Sequence, residues 1–407
     1  MRIRALKCLA CLLIAAAFVL PAGMFGASPK SPAAEKQWTL MIFWCADNNL
    51  EWTTEFCMNM WKAALTSDAD VNIVVLLDIK SVDGTWIYAL PDTENPVATW
   101  PEKNTSDPMV LGEFVDYTMA NYPAEKNLLL ISDHGYAWRG ICEDETNGDV
   151  LMTPDGIGKV LAGKGIDLLA FDACNMASIE LAYELRDAVP YMVASESTEP
   201  YDGLPYKMFI TDMVSTPSIS PRELAVNIVD EYVLYYSSKK DFEHQVKYTQ
   251  DFATMAAFDM SKMGAVGDAF NNLATVLKPI IPEHMKEVQA ARGYALVGTW
   301  TNMAGYEWTP DVYTFAEGLR AIPGHPELMS AIDAFEYAVD EAILQEAHSK
   351  KYHDTVHGLN FWFPPSLAQY NMKGYSWAQQ FIYEGSGLDL VDGDSPWVQC
   401  LMTYYSG

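Results

Sequence analysis

Five uninterrupted apolar runs constrain the fold of this chain. They are "WTLMIFWC" (38–45), "DVNIVVLLDI" (70–79), "NLLLIS" (127–132), "IDLLAFD" (166–172) and "YMVASES" (191–197). A strand with one wet face alternates apolar and polar residues. A continuous run of β-branched and large residues must be covered on both faces. Helical stretches lie between the runs: 50–65, the "VLGEFVDYTMANYP" segment stopped before Pro123, "TPDGIGKVLAG" with Thr153 as cap and Pro154 at its first position, and "NMASIELAYELRD". Strand and helix in alternation predict a mostly parallel sheet sandwiched between two helical layers. A shorter run, "TWIYAL", reads as an edge strand.

These elements make residues 36–210 one α/β domain. Residues 211–407 read as a mixed α/β region, either a separate domain or an extension of the first. In it, "PRELAVNIVDEYVLYYSS", "SKMGAVGDAFNNLATVL" and "ELMSAIDAFEYAVDEAILQEAHS" have helical patterns. "ATMAAFDM" and "HGLNFWFPPS" read as strands, the second closed by Pro364-Pro365.

The first 27 residues have another character. Arg2, Arg4 and Lys7 precede a short apolar core, then small residues and prolines. This is the build of a secretory signal peptide, with cleavage between 22 and 34. The core is short for a spanning helix, so no membrane association is expected after its removal. The expected location is secreted or periplasmic. Beyond it lie Cys45, Cys57, Cys142, Cys174 and Cys400. An odd number leaves a thiol unpaired, and no pair has zinc-site spacing. The net charge of −28 makes nucleic acid a poor partner.

Two of the runs end alike. "LLLISDHG" stops at Asp133-His134-Gly135, and "LLAFDAC" at Asp172-Ala173-Cys174. A right-handed crossover makes consecutive strands parallel, so both carboxyl ends reach one edge of the sheet. Ligands bind at that edge in open α/β sheets. A histidine and a thiol meeting there have the arrangement that nucleophilic thiol catalysis needs. A helix starting at Cys174 would lower its thiol pKa. Gly135 allows close backbone approach, and its N–H with that of Cys174 could face an oxyanion. Taken singly, such a cysteine reads as a small buried hydrophobe and such a histidine as a turn residue.

The sequence around these residues resembles the clostripain family of cysteine peptidases, in the caspase-like clan. "WTLMIFWCADNNLE", "NYPAEKNLLLISDHGYAWRGICED", "DACNM", "SESTEPYDGLPY" and "GLNFWFP" carry the likeness, which is strong over about 37–206. The resemblance implies a caspase-like three-layer sandwich and a secreted endopeptidase. His134 and Cys174 match the family's catalytic pair, and Gly135 and Cys174 its oxyanion donors. Asp172 matches an acid at the S1 pocket for Arg or Lys, and Asp202 is a second candidate there. A helix-cap role is the plainer reading of Asp172. The chain departs from the family at Ala137 and Asn175, where glycine and leucine are usual. An inactive exported binding protein on the same scaffold, or the same chemistry with another P1 preference, are the alternatives.

The resemblance further implies synthesis as a zymogen, cut between histidine and cysteine. Arg139, Lys159 and Lys164 lie in that interval. It implies no metal in the chemical step, with calcium required by some members. The loop with Glu143, Asp144, Glu145 and Asp149 lacks an EF-hand pattern and reads as a solvated acidic loop. The expected partners are peptides with basic residues, and the expected state is a monomer, intact or self-cleaved. His348, His353 and His357 are irregularly spaced for a metal site, and Ser132 and Ser195 lack a nucleophile-elbow pattern.

Overall fold

The computed structural model describes residues 35–66, 69–148, 150–238, 253–295, 308–349, 355–371 and 382–407. The predicted signal segment lies outside the described residues, as does His353. Among the described residues nine strands form one sheet: β1 (Lys36–Ala46), β2 (Val71–Ile79), β3 (Thr85–Ala89), β4 (Ala98–Trp100), β5 (Ala124–Ser132), β6 (Leu168–Asp172), β7 (Tyr191–Ala194), β8 (Thr254–Asp259) and β9 (Ile343–His348). Their order is β4-β3-β2-β1-β5-β6-β7-β8-β9. The central strands β2, β1, β5, β6 and β7 are mutually parallel, and β3, β4, β8 and β9 pair antiparallel at the flanks.

The helices among the described residues are α1 (Thr54–Ala63), α2 (Pro108–Asn121), α3 (Pro154–Leu161), α4 (Ile179–Glu184), α5 (Tyr206–Ser215), α6 (Pro221–Ser238), α7 (Met263–Leu277), α8 (Met285–Tyr294), α9 (Val312–Gly318), α10 (Pro326–Ala342), α11 (Leu367–Tyr370) and α12 (Pro396–Ser406). The pleat sends alternate residues to opposite faces. Met41, Phe43 and Cys45 of β1 join one core with α2, α3, α4, α7 and α10. Leu40, Ile42 and Trp44 join the other with α1, α5 and α6. That two-sided burial is why the central runs carry no polar alternation. The architecture is the expected three-layer α/β sandwich.

Residues beyond 210 complete the same sheet, because β8 and β9 continue it from β7. Two expectations there are corrected. The helical run from 327 to 349 breaks after Ala342, and its tail Ile343–His348 is β9. Here pairing with β8 outweighs local helix propensity. The segment 357–366 contains no strand; Asn360 makes only isolated bridges, to Ser178 and Asp311. Its backbone is used as a tie, since Ile179 N–H donates to Asn360 O and Asn360 N–H to Ala177 O.

Among the described residues no helix is long and apolar enough to cross a membrane. Leu130, in the middle of β5, is fully buried. Leu130→Ala is expected to cost about 2–5 kcal/mol in chemical denaturation, against under about 0.5 kcal/mol for exposed Val82→Ala.

Candidate active site

β5 and β6 are neighbours, and their last residues, Ser132 and Asp172, are register partners. The chain leaves both strands at the same edge. Asp133 N–H still donates to Asp172 O at 3.4 Å before the strands part. His134 and Cys174, each two residues past that register, line one cleft of about 60 Å³ with Trp44, Asp172, Glu199 and Tyr201.

The turn carrying His134 is built on the buried Asp133 carboxylate. It accepts from His134 N–H at 2.6 Å, Asn48 Nδ2 at 2.7 Å and Glu143 N–H at 2.5 Å. Asn48 Nδ2 also reaches Glu143 O at 2.8 Å. The next residue, Asn49, places Oδ1 2.7 Å from His134 Nε2. Burial holds the His134 pKa below its ordinary value, partly offset by the Glu145 charge. The imidazole is therefore neutral at neutral pH.

Gly135 is required by contact. A Cβ there would lie 2.2 Å from Cys174 O and 2.9 Å from Met176 Sδ. The histidine loop thus packs backbone to backbone on the cysteine loop. Ala137 and Asn175 both have left-handed backbone, at φ 55 and 61. These are the two departures from the family pattern. Asparagine tolerates that region better than most residues, and alanine is strained there where glycine would not be.

Cys174 is partly exposed, and its Sγ accepts Glu199 N–H at 3.2 Å. The expected helix start at Cys174 is corrected. A loop follows, tied through Asn175 N–H to Ser197 O and Ala177 N–H to Ser195 O. α4 begins only at Ile179, capped by Ser178 Oγ, which accepts from Leu181 N–H at 3.3 Å. No helix terminus helps the thiol ionise. Burial, with the Glu199 and Asp172 charges, pushes its pKa up to about 12.

Asp172 is not a helix cap. It lies beneath the cysteine and accepts from Tyr206 OH, from Leu204 N–H at 3.1 Å and from Ser132 Oγ at 3.3 Å. Gly203 leaves it room, since a Cβ there would sit 2.5 Å from Oδ2. Glu199, passed over in the sequence, shares a hydrogen bond with Asp172, and its Oε1 accepts Ala173 N–H at 3.3 Å. Burial and the Asp172 charge raise the Glu199 carboxyl well above its ordinary pKa. Burial raises the Asp172 carboxyl as well, so the hydrogen-bonded pair is biased toward its protonated forms. Among the described residues neither forms an ion pair with lysine or arginine. Asp202 is buried, accepts from Tyr235 OH at 3.2 Å and does not line the cleft.

Asn48, Asn49 and Glu199 are the site residues that sequence reasoning missed. The Asp-Asn-Asn turn was visible as a motif, but its partner was not.

Other candidates have structural partners. Arg139 is buried, near the rings of Tyr136 and Trp362. Lys159 pairs with Asp155 on α3 at 2.7 Å. Lys164 pairs with Asp116 at 2.5 Å, between Gly163 and Gly165, both with positive φ. His348 meets Glu346, and His357 meets Asp311 and stacks on Tyr313. Ser195 Oγ meets Thr254 Oγ1 at 2.8 Å.

The acidic loop is not wholly solvated. Glu143 accepts from Tyr136 OH and Glu145 pairs with Lys80, while Asp149 lies outside the described residues. Asp144 is fully buried, and Asp47, Asp78 and Asp144 each bring an oxygen within 4.8 Å of the others. Among the described residues Asp47 Oδ1 and Asp78 Oδ1 have no hydrogen-bond partner. Cys45 and Cys142 bury their sulfurs 2.8 Å apart, near Asp133.

Comparison with known proteins places this geometry. Residues 42–359 match the model of the clostripain family. Clostripain of Hathewaya histolytica is 25% identical over 362 residues, covering 72% of this chain and 67% of that protein. A secreted C11 cysteine protease from Bacteroides thetaiotaomicron, solved with an irreversible peptide inhibitor, superposes with a TM-score of 0.65 at 17% identity, over 87% of this chain and 98% of the other. An inactive zymogen C11 protease from Parabacteroides distasonis gives 0.60 at 16% identity, over 82% and 94%. The two structures share the fold. The match over most of the chain shows that it belongs to the clostripain family of cysteine endopeptidases.

Proposed function

We propose that the chain is an exported endopeptidase that uses His134 and Cys174 as a dyad and cleaves after Arg or Lys. The observation that carries the reading is one cleft lined by an imidazole, a thiol and the buried acids Asp172 and Glu199, which among the described residues have no lysine or arginine partner. A buried carboxylate is costly without a counter-charge. A substrate guanidinium or ammonium supplies that charge, and the pairing is charge-assisted.

The resting pair is thiol and imidazole, not thiolate and imidazolium. His134 takes the Cys174 proton as Sγ bonds to the peptide carbonyl carbon. The oxyanion is received by the N–H groups of Gly135 and Cys174. His134 then gives its proton to the leaving amine, and the C–N bond breaks. Water, deprotonated by the same imidazole, hydrolyses the thioester and releases the thiol. Asn49 orients the imidazole through Nε2. Lys164, in a glycine-flanked turn, is the best presented of the three candidate self-cleavage points. Buried Arg139 and helical Lys159 are poorly presented.

Fluorogenic peptides varied at P1 test both parts. Cys174→Ala is expected to lose at least about 10³-fold in kcat. Asp172→Asn is expected to lower the Arg-over-Ala ratio of kcat/KM by about 10²-fold, the size expected for one buried charged partner. An unchanged ratio would remove Asp172 from the pocket and keep the dyad.

The pH profile tests the resting state. His134 acts only when neutral, so kcat/KM falls as pH drops through its pKa. Burial places that pKa below the ordinary 6.5. The acid limb is therefore expected below about 6.5. A midpoint above the ordinary value would mean an ion-pair dyad instead.

We also propose a calcium site in this chain, at Asp47, Asp78 and Asp144. Burial and the neighbouring acids raise Asp78 to about 8, and the two orphaned oxygens fit a hard cation. The cation would screen these charges and take no part in bond cleavage. Calcium is expected to raise the melting temperature of the full chain, and Asp78→Asn to remove the shift. No shift in the unaltered protein would reject the site.

A further inference from the structure

Beside the catalytic cleft lies a second, larger depression of about 820 Å³, between α1 with the turn before it and the ends of β2 and β3. Its floor is Met58, Leu77 and Ile79, and Tyr88 forms a wall. Its acidic residues are Glu51, in the 3-10 turn before α1, and Glu55 in the first turn of α1, with Asn59 one turn further on. Among the described residues no lysine, arginine or histidine lines it.

The depression joins the cleft at two points. Asn49 lines the depression and also holds His134 Nε2 at 2.7 Å. Trp52 lines the depression and meets Tyr201, which lines the cleft, edge to face at 5.5 Å. Both rings are largely exposed, Trp52 at 48% and Tyr201 at 40%. Exposed aromatic pairs at a cleft mouth mark contact surfaces.

The direction of the substrate follows from the chemistry proposed above, on which this step rests. His134 delivers its proton to the leaving amine. The amine half of the peptide must therefore pass on the histidine side of the scissile bond. Asn49 is the neighbour on that side, and the depression opens beyond it.

We propose that this depression binds the residues following the scissile bond and selects basic side chains there. Glu51 and Glu55 would pair with lysine or arginine, and Trp52 and Tyr88 offer ring faces to the same cations. The enzyme then reads positive charge on both sides of the bond, through two separate acidic sites. Clusters of basic residues are better substrates than single ones.

Internally quenched peptides test this, with one P1 residue throughout and Lys, Ala or Glu in the three following positions. The wild type is expected to prefer the Lys series over Ala by about tenfold in kcat/KM, the effect two surface ion pairs support, mainly through KM. In Glu51→Gln/Glu55→Gln the ratio is expected to fall to about one. An unchanged ratio in that variant overturns the proposal. Failure of the dyad or P1 reading is separable by a binding measurement. Fluorescence anisotropy of a labelled peptide carrying only the post-cleavage Lys residues is read on full-length Cys174→Ala, with and without the two glutamine changes. Binding weakened by those changes supports the depression whatever the P1 preference, and binding unaffected by them rejects it.

Discussion

The parallel pairing of β5 with β6 is the contact on which everything else rests. Hydrogen bonds along five register pairs bring Ser132 level with Asp172. Two more residues of each chain then suffice to bring a histidine and a thiol into one cleft. A slip of one residue would turn every side chain of a strand to the opposite face. Here it would also bury one functional group and expose a core residue. Both faces of these strands are filled, by Leu128 and Leu130 on one side and Leu129 and Ile131 on the other, so such a slip is heavily penalised.

The cleft is electrostatically one-sided. Asp133, Asp172 and Glu199 are its buried acids, and among the described residues they are held by side-chain amide, hydroxyl and backbone N–H donors and not by lysine or arginine. Burial raises the thiol and lowers the imidazole, so the free pair carries no charge. Desolvation dominates both shifts, as it does wherever ionisable groups sit in a low-dielectric cleft. A positive charge brought into this cleft would alter the balance, since it would face the acids and stand next to the sulfur.

Much of this was legible in the sequence. Uninterrupted apolar runs specify buried parallel strands, and topology alone sends their carboxyl ends to one edge. That sufficed to bring His134 and Cys174 together. Other features depended on distance in three dimensions. Ile343–His348 follows a helix without a break in composition, and only the exposed edge of β8 explains why it is a strand. The delay of α4 to Ile179 comes from Asn175 and Ala177 binding the segment after β7, a long-range exchange with no local signature. Glu199 sits in irregular chain between β7 and α5, so no periodicity pointed it at Asp172. Asn48 and Asn49 belonged to a recognised turn, yet their partners lie more than eighty residues on.

The contact between Gly135 and the Cys174 carbonyl has a wider meaning. Where Gly135 meets the Cys174 carbonyl, main chain lies against main chain, and side-chain rotamers have little scope to absorb a displacement. Their separation is set by covalent geometry and the sheet beneath, not by packing that mutation can tune. Drift elsewhere in the chain can reshape what the cleft accepts. The distance between His134 and Cys174 is much harder to alter, so what the cleft accepts can change while the spacing of its two groups stays fixed.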